Sequence, residues 1–186
     1  MYQSHNQPGP LQSVSPAAPT RTTPGIVRWA TLQSSFGQML VAATEKGVCR
    51  LSFGEGERQF EGLFPGVRLV AGADAFGPLL RHVVAVVEGE GDSSAIPLDV
   101  RGTPFQEACW NALRQIPRGE TRSYAQLAAA VGKPAAVRAA GSANGANRVA
   151  ILIPCHRVIR SDGSLGGYAY GSEIKRRLLE RERIAG

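Results

Sequence analysis

The sequence lacks the long apolar runs, paired cysteines and histidine clusters that mark several large classes of protein. No stretch approaches the roughly 20 consecutive apolar residues of a transmembrane helix, and no secretory signal is recognisable. Only 3 cysteines and 3 histidines occur among 186 residues, and they are not clustered, so neither a disulfide scaffold nor a zinc site is indicated. We therefore expect a cytoplasmic protein with free thiols and with no metal, cofactor or membrane partner.

Composition divides the chain into three parts. Residues 1–25 are rich in Pro, Ser, Thr and Gln without apolar periodicity, which predicts a disordered arm or linker. Residues 26–101 combine strand-like alternation on either side of residues 36–38 with an almost wholly apolar helix pattern over 79–87, which predicts a small α/β domain. Residues 102–186 form the third part.

Positive charge is concentrated in this third part. Residues 1–104 hold 8 Lys and Arg against 9 Asp and Glu, whereas residues 105–186 hold 13 against 6. Such asymmetry favours a polyanionic partner, although a basic face can also serve solubility alone. A recognition element is therefore needed to decide between the two.

A helix-turn-helix outline supplies a candidate element. Ser123 and Gln126 have the spacing of a capping box, so a helix should begin at Tyr124 and stop at Gly132. Pro134 is a favoured first helical residue and should open the second helix. That helix carries one large polar side chain, Arg138. Its other residues are small enough to lie close to a nucleic-acid backbone or to pack tightly in a core: Ala139, Ala140, Gly141, Ser142, Ala143 and Gly145.

The candidate nucleophile is Cys155, which lies next to His156. Both follow the apolar run 149–153, which predicts a short buried strand ending at Pro154. Charged groups at the end of a core strand cost free energy unless a site uses them. Cations such as a protonated His156 and Arg157 lower a thiol pKa and raise its thiolate fraction.

The other two cysteines have no such setting. Cys49 lies in an alternating strand pattern, and Cys109 shares a helical face with apolar residues, so both are interpreted as core residues. Free cysteine is usually a small buried hydrophobe, which is also the alternative for Cys155.

Taken together, these features resemble the O6-alkylguanine-DNA alkyltransferase family, most closely the alkyltransferase half of bacterial Ada proteins. The resemblance covers most of residues 103–182 and is weaker over 26–102. Its motifs are Thr103-Pro104-Phe105-Gln106, Ile116-Pro117-Arg118-Gly119-Glu120-Thr121, Ser123-Tyr124, Val137-Arg138-Ala139, Ala146-Asn147, Ile153-Pro154-Cys155-His156-Arg157-Val158, Gly167-Tyr168, Lys175 and Leu178-Leu179-Glu180-Arg181-Glu182.

The resemblance implies an α/β two-domain fold. Its amino-terminal domain would be ribonuclease H-like, a sheet with a helix, and its carboxy-terminal domain mostly helical with the helix-turn-helix. It also implies a methylated-DNA–protein-cysteine methyltransferase that acts once on double-stranded DNA. The alkyl group of O6-alkylguanine would pass to Cys155 after base flipping, with O4-alkylthymine as a second candidate substrate. No stable protein partner is implied.

The resemblance also assigns roles in the chemistry. Cys155 would attack the alkyl carbon, and His156 would act as base through a water while Glu182 orients it. Asn147 would tie the recognition helix to the Cys155 turn. Tyr124 would give a proton towards guanine N3 and press on the phosphate.

Recognition would use a further set of residues. Arg138 would fill the space that the flipped base leaves, while the small residues of its helix lie in the minor groove, namely Ala139, Gly141 and Ser142. The substrate pocket would use the Val158 carbonyl, the Tyr168 ring, the Ala169 amide and the supporting Lys175.

Two other classes of function share some of these features. A protein that binds alkylguanine without chemistry would not need Cys155. A cysteine hydrolase usually brings Cys and His together from distant positions and would not need the small-residue helix.

Overall fold

In a computed structural model, residues 25–72 and 74–184 are described. The predicted disordered arm over residues 1–25 lies, apart from its last residue, outside the described residues. The predicted boundary between residues 101 and 102 stays a prediction.

The amino-terminal part contains a four-stranded sheet in the order β3-β2-β1-β4. Strands β1, β2 and β3 form an antiparallel meander, and β4 lies parallel to β1. The alternation on either side of residues 36–38 predicts two strands joined there; the structure confirms the hairpin but has its turn earlier, at Ser35 and Phe36, with Gly37 and Gln38 already in β2. The strands are β1 (Ile26–Ser34), β2 (Gly37–Thr44), β3 (Gly47–Phe53) and β4 (Arg68–Ala71).

Both faces of this sheet are covered because β2 is apolar on both sides. Leu40 and Ala42 pack with Phe60 of helix α1 (Glu57–Glu61), whereas Met39 and Val41 belong to the main core with helix α2 (Gly77–Glu88). The main core continues into the carboxy-terminal part, so the two parts share apolar packing.

The carboxy-terminal part is mostly helical, as predicted. Capping boxes at Thr103 and Ser123 start its first two helices, and the second begins at Tyr124 as expected. Among the described residues, no helix is long and apolar enough to cross a membrane. The elements are α3 (Pro104–Arg114), β5 (Arg122–Ser123), α4 (Tyr124–Ala130), α5 (Val137–Gly145), β6 (Val158–Ile159) and α6 (Ser172–Ile184).

The recognition helix α5 begins three residues later than predicted. Lys133 N donates to the Ala128 carbonyl and Ala136 N to the Lys133 carbonyl, so residues 133–136 form a turn. Pro134 therefore lies in that turn and does not open the helix.

The predicted strand over residues 149–153 was wrong. Ile151 has a φ of 68°, and Leu152 N bonds back to the Ala150 carbonyl at 2.7 Å, which folds the segment into a turn. Leu51 of β3 holds it by accepting from Ala150 N at 3.1 Å. An apolar run indicates that a segment is buried, but both strands and turns can be buried.

The recognition helix is fixed to α3 by the buried Trp110, whose indole Nε1 donates to the Ala143 carbonyl at 2.9 Å. That carbonyl lies in the last turn of α5, where backbone acceptors lack helical partners. This bond therefore sets the position of the carboxyl end of α5.

Trp110→Phe is expected to lower the free energy of unfolding by about 1 to 3 kcal/mol, because the Ala143 carbonyl loses its donor while buried. Trp29→Phe is the matched control, since Trp29 is also buried and its indole bonds to none of the described residues. Urea unfolding followed by circular dichroism measures both. Equal losses in the two variants would contradict the role of the Trp110 bond.

Candidate active site

Cys155 lies in a short 3₁₀ turn directly after Pro154 and is only 6% exposed. Asn147, just past the end of α5, donates from Nδ2 to the Cys155 sulfur at 3.1 Å and to the Ile153 carbonyl at 2.8 Å. Its Oδ1 accepts from Val149 N at 3.0 Å. One buried amide thus links the recognition helix to the turn that carries the thiol.

Burial raises the pKa of the Cys155 thiol, and the Asn147 hydrogen bond and the nearby Lys175 charge only partly oppose this. The expectation that His156 and Arg157 would lower that pKa was wrong. His156 is itself fully buried and its pKa is lowered by burial, so it is neutral beside the thiol. The guanidinium group of Arg157 binds Glu182.

Arg157 and His156 both bind Glu182, whose carboxylate is buried. His156 Nε2 lies 2.8 Å from Oε1, while Arg157 donates to Oε1 at 2.9 Å and to Oε2 at 3.0 Å. Burial alone would raise the pKa of Glu182, but these bonds outweigh it and hold the pKa at about 2. An ionised carboxylate can only accept, so Nε2 of His156 carries the proton and Nδ1 is the free basic nitrogen.

Lys175 is fully buried on the same helix as Glu182, about two turns before it. Its Nζ donates to the carbonyls of Val158 at 2.6 Å and Gly167 at 3.3 Å, and also to that of Leu165. Burial lowers its pKa to about 8. The Val158 carbonyl keeps a second lone pair, so it can still accept from a substrate amine.

A cavity of about 270 Å³ lies over the thiol, near the lower end of the roughly 300 to 1,000 Å³ typical of ligand pockets. Of the expected residues, five line it, namely Cys155, Asn147, Tyr124, Tyr168 and Ala169, whereas His156, Glu182, Val158 and Lys175 are not among the lining residues. Its full lining is Tyr124, Gly141, Asn144, Gly145, Asn147, Cys155, Gly167, Tyr168, Ala169 and Tyr170.

Two glycines lie close to the Tyr124 ring, which lines the cavity. A Cβ on Gly166 would lie 3.2 Å from the Tyr124 hydroxyl, and one on Gly141 would lie 3.6 Å from its ring. Gly166 also has a φ of 67°, so a larger residue there would be strained and would displace the phenol. Burial raises the pKa of Tyr124, which keeps its proton available.

The recognition helix shows two different faces. Ala140, Ala143 and Asn144 are buried, and Asn144 donates to the Cys155 carbonyl at 3.3 Å. The opposite face is exposed and carries Arg138, Ala139, Ser142 and Gly145, while Gly141 is half-buried against Tyr124. The small residues therefore form a smooth outer surface with Arg138 at its amino-terminal end.

Sequence reasoning missed the roles of Asn144, Gly166 and Tyr170 in this site. An amide side chain within a helix of small residues, that of Asn144, was an available signal. Tyr170 donates to the Leu51 carbonyl at 3.3 Å, a contact 119 residues away along the chain. No local pattern could have found that contact.

Comparison with known proteins gives consistent matches over both parts of the chain. A family model described as the DNA binding domain of 6-O-methylguanine DNA methyltransferase matches residues 104–184, and one described as its ribonuclease-like domain matches residues 27–100. The methylated-DNA–protein-cysteine methyltransferase of Methanosarcina barkeri is 43% identical over 151 residues, which cover 81% of this chain and 94% of that protein.

Two further relatives complete the comparison. The bifunctional transcriptional activator/DNA repair enzyme Ada of Escherichia coli is 44% identical over 160 residues, covering 84% of this chain but only 45% of Ada. The chain thus spans somewhat less than half the length of the Ada proteins it matches. A crystal structure of the Mycobacterium tuberculosis O6-methylguanine methyltransferase superposes with a TM-score of 0.73 at 38% identity, covering 86% of this chain and 94% of that one.

Glu182→Gln is expected to destabilise the protein at pH 7 by about 3 kcal/mol, because Arg157 is left buried without its counter-charge. The Glu182 pKa is held at about 2, below its ordinary 4.5, so its contribution is present above about pH 4.5 and is lost as the pH falls towards 2. The gap between wild type and variant should therefore close over that range in urea unfolding at a series of pH values.

The matched control is Glu180→Gln, which removes an exposed carboxylate from the same helix and should change stability little. A gap for Glu182→Gln that stays constant from pH 7 to 2 would show that the carboxylate is not held ionised by its partners.

Proposed function

The chain belongs to the 6-O-methylguanine DNA methyltransferase family, the O6-alkylguanine-DNA alkyltransferases, and from this membership we propose that it repairs O6-alkylguanine in double-stranded DNA. The alkyl group passes to Cys155, and each molecule acts once. The observation that carries the proposal is the Cys155 thiol, which lies at the cavity with the Asn147 amide on its sulfur and the buried His156 and Glu182 pair behind it.

The raised pKa of Cys155 makes a base necessary, because the thiol is protonated near neutral pH. His156 is neutral and can take the thiol proton at Nδ1, directly or through a water, while the ionised Glu182 stabilises the resulting imidazolium. The sulfur lone pair then forms the bond to the alkyl carbon as the carbon–oxygen bond breaks. Its electrons pass to O6 of guanine.

Tyr124 completes the proton balance. Its phenol gives a proton to the guanine anion as negative charge develops on the base, and solvent exchange returns a proton from His156 to the phenolate. The nucleophile, base and proton donor are all side chains, so the scheme calls for no cofactor. The thioether product has no leaving group of comparable reactivity, which limits the protein to one turnover.

Cys155 lies at a cavity below the protein surface, so a base that is stacked within a duplex cannot reach it. The base must rotate out of the helix at a cost of roughly a few kcal/mol. The smooth outer face of α5, including Ala139, Gly141 and Ser142, fits a minor groove, and the exposed Arg138 can occupy the space left in the stack.

Inside the pocket, Tyr168 and the backbone of Ala169 line the space for the flipped base. The Val158 carbonyl, steadied by Lys175, is the acceptor for an exocyclic amine. O4-alkylthymine is a second candidate substrate of the same chemistry. Free cysteines, of which this protein has three, are typical of proteins in a reducing cytoplasm, and we propose that the protein acts there.

Mixing the protein with duplex DNA that holds one O6-methylguanine should add a single methyl mass to the intact protein, because one thiol is the acceptor. Peptide mapping should place it on Cys155. Cys155→Ala should gain nothing, whereas Cys109→Ala, the control for another buried cysteine, should react fully. Lesion binding without a mass gain in the wild type would replace transfer with the non-catalytic binding function.

Arg138→Ala is expected to slow methyl transfer from duplex DNA by about tenfold or more, because the extruded base no longer has a substitute in the stack. Transfer from a single-stranded oligonucleotide with the same lesion should change far less, since no stacked pair must be opened. Quenched single-turnover reactions measure both rates. Arg148→Ala removes another exposed positive charge of the carboxy-terminal part and should slow transfer from the two substrates alike.

An equal loss on both substrates for Arg138→Ala would contradict a role in base flipping and would make Arg138 a phosphate contact.

A further inference from the structure

Two faces of helix α6 contact different parts of the molecule. Lys175, Leu178 and Glu182 are buried and face the active site or its core. Arg177 and Arg181 are one turn apart and reach the amino-terminal sheet. Arg181 directly precedes Glu182, so a contact that fixes Arg181 also fixes the backbone that carries the carboxylate.

These two arginines hold the β1–β2 turn at Ser35 and Phe36. Arg177 Nη2 donates to the Ser35 carbonyl at 2.7 Å, and Arg181 Nη1 donates to the Ser35 hydroxyl at 3.2 Å. Both guanidinium groups also lie against the Phe36 ring, at 5.1 Å and 4.4 Å from its centroid. This cluster of Ser35, Phe36, Arg177 and Arg181 is called the arginine joint below.

The carboxyl end of α2 closes the arginine joint from the other side. Arg181 Nη2 donates to the Val87 carbonyl and Nη1 lies 3.9 Å from Glu88, whose carboxylate accepts from Ser35 N at 2.9 Å. Arg118 from the loop after α3 adds a bond to the Gly89 carbonyl at 2.9 Å. Cations at the negative end of a helix are favourable, and two arginines, Arg118 and Arg181, bind where α2 ends.

An aromatic row continues from the arginine joint to the substrate cavity. Phe36 meets Phe53 at 5.8 Å between ring centroids, Phe53 meets Tyr170 at 5.4 Å, and Tyr170 meets Tyr168 at 5.5 Å, all edge to face. The arginine joint is therefore connected to the site in two ways. The backbone of α6 connects it to Glu182, and the aromatic row connects it to the cavity wall.

We propose that the arginine joint is a positioning device for alkyl transfer, in which Arg181 holds α6 so that Glu182 keeps His156 in its buried, hydrogen-bonded position. This inference rests on the proposed function. Arg181 touches none of the reacting atoms, so it is a positioning residue. The amino-terminal domain contributes to the reaction through this contact rather than by supplying a group to the chemistry.

Arg181→Gln tests the inference, with Arg176→Gln as the matched control. Arg176→Gln removes the same charge from the same helix, but among the described residues Arg176 pairs only with Glu173 and Glu180 of α6. For Arg181→Gln we expect the single-turnover rate of methyl transfer to fall about tenfold at unchanged affinity for lesion DNA, because a small displacement of the base is enough. Arg181→Lys should recover part of the rate.

The second readout is the titration of His156 by NMR, which does not require transfer. The charged groups acting on His156 are Glu182, Arg157 and Lys175, and burial is the largest influence, lowering its pKa. A loosened α6 exposes the ring, so the pKa of His156 should rise towards 6.5 in Arg181→Gln and stay at the wild-type value in Arg176→Gln. The acid limb of the rate profile should move to higher pH with it.

An unchanged His156 titration in Arg181→Gln would overturn the inference, as would a rate loss that only follows the fraction of unfolded protein. If the wild type transferred no methyl group, the proposed function would fail, and the His156 titration would still decide whether the arginine joint positions the pair.

Discussion

The buried Glu182 carboxylate is the interaction on which the rest of the site depends. It fixes the tautomer of His156 because it can only accept, and it neutralises Arg157, which would otherwise be a poorly solvated charge. Arg157 in turn donates to the Ile116 carbonyl at 2.6 Å and so ties the segment after α3 to the Cys155 turn. One carboxylate near the end of the last helix thus organises three separate stretches of chain.

Cys155 and His156 are buried as well, and a consequence is that the proposed nucleophile is not activated in advance. Burial raises the Cys155 pKa and lowers that of His156, so the resting pair is a neutral thiol beside a neutral imidazole. Transfer of the thiol proton to His156 is favourable only when the Glu182 carboxylate stabilises the resulting imidazolium. A buried, protonated thiol is also a poor target for oxidants and metals, which suits the proposed reaction, in which each thiol is used once.

Much of the site could be predicted from sequence, because its chemistry is local. The capping box at Ser123 placed Tyr124 correctly, and the adjacency of Cys155 and His156 pointed to the pair that is proposed to react. The errors arose where tertiary contacts decide. Residues 149–153 were predicted to be a strand because an apolar run shows burial but not backbone direction, and the turn is imposed by β3 through Leu51. The thiol pKa was misjudged because sequence shows neighbouring cations but not their burial.

The amino-terminal domain supplies no group to the proposed chemistry, yet the site cannot be separated from it. Leu51 of β3 brackets the turn before Cys155, with its amide on the Arg148 carbonyl at 2.9 Å and its carbonyl accepting from Ala150. The same Leu51 carbonyl accepts from Tyr170 at the cavity wall. A thiol with a raised pKa needs its base held within a narrow range of positions. The two domains share one core, and each end of the active-site segment is anchored in a different layer of structure. The position of the base relative to the thiol is therefore restricted more than a small helical domain could restrict it alone.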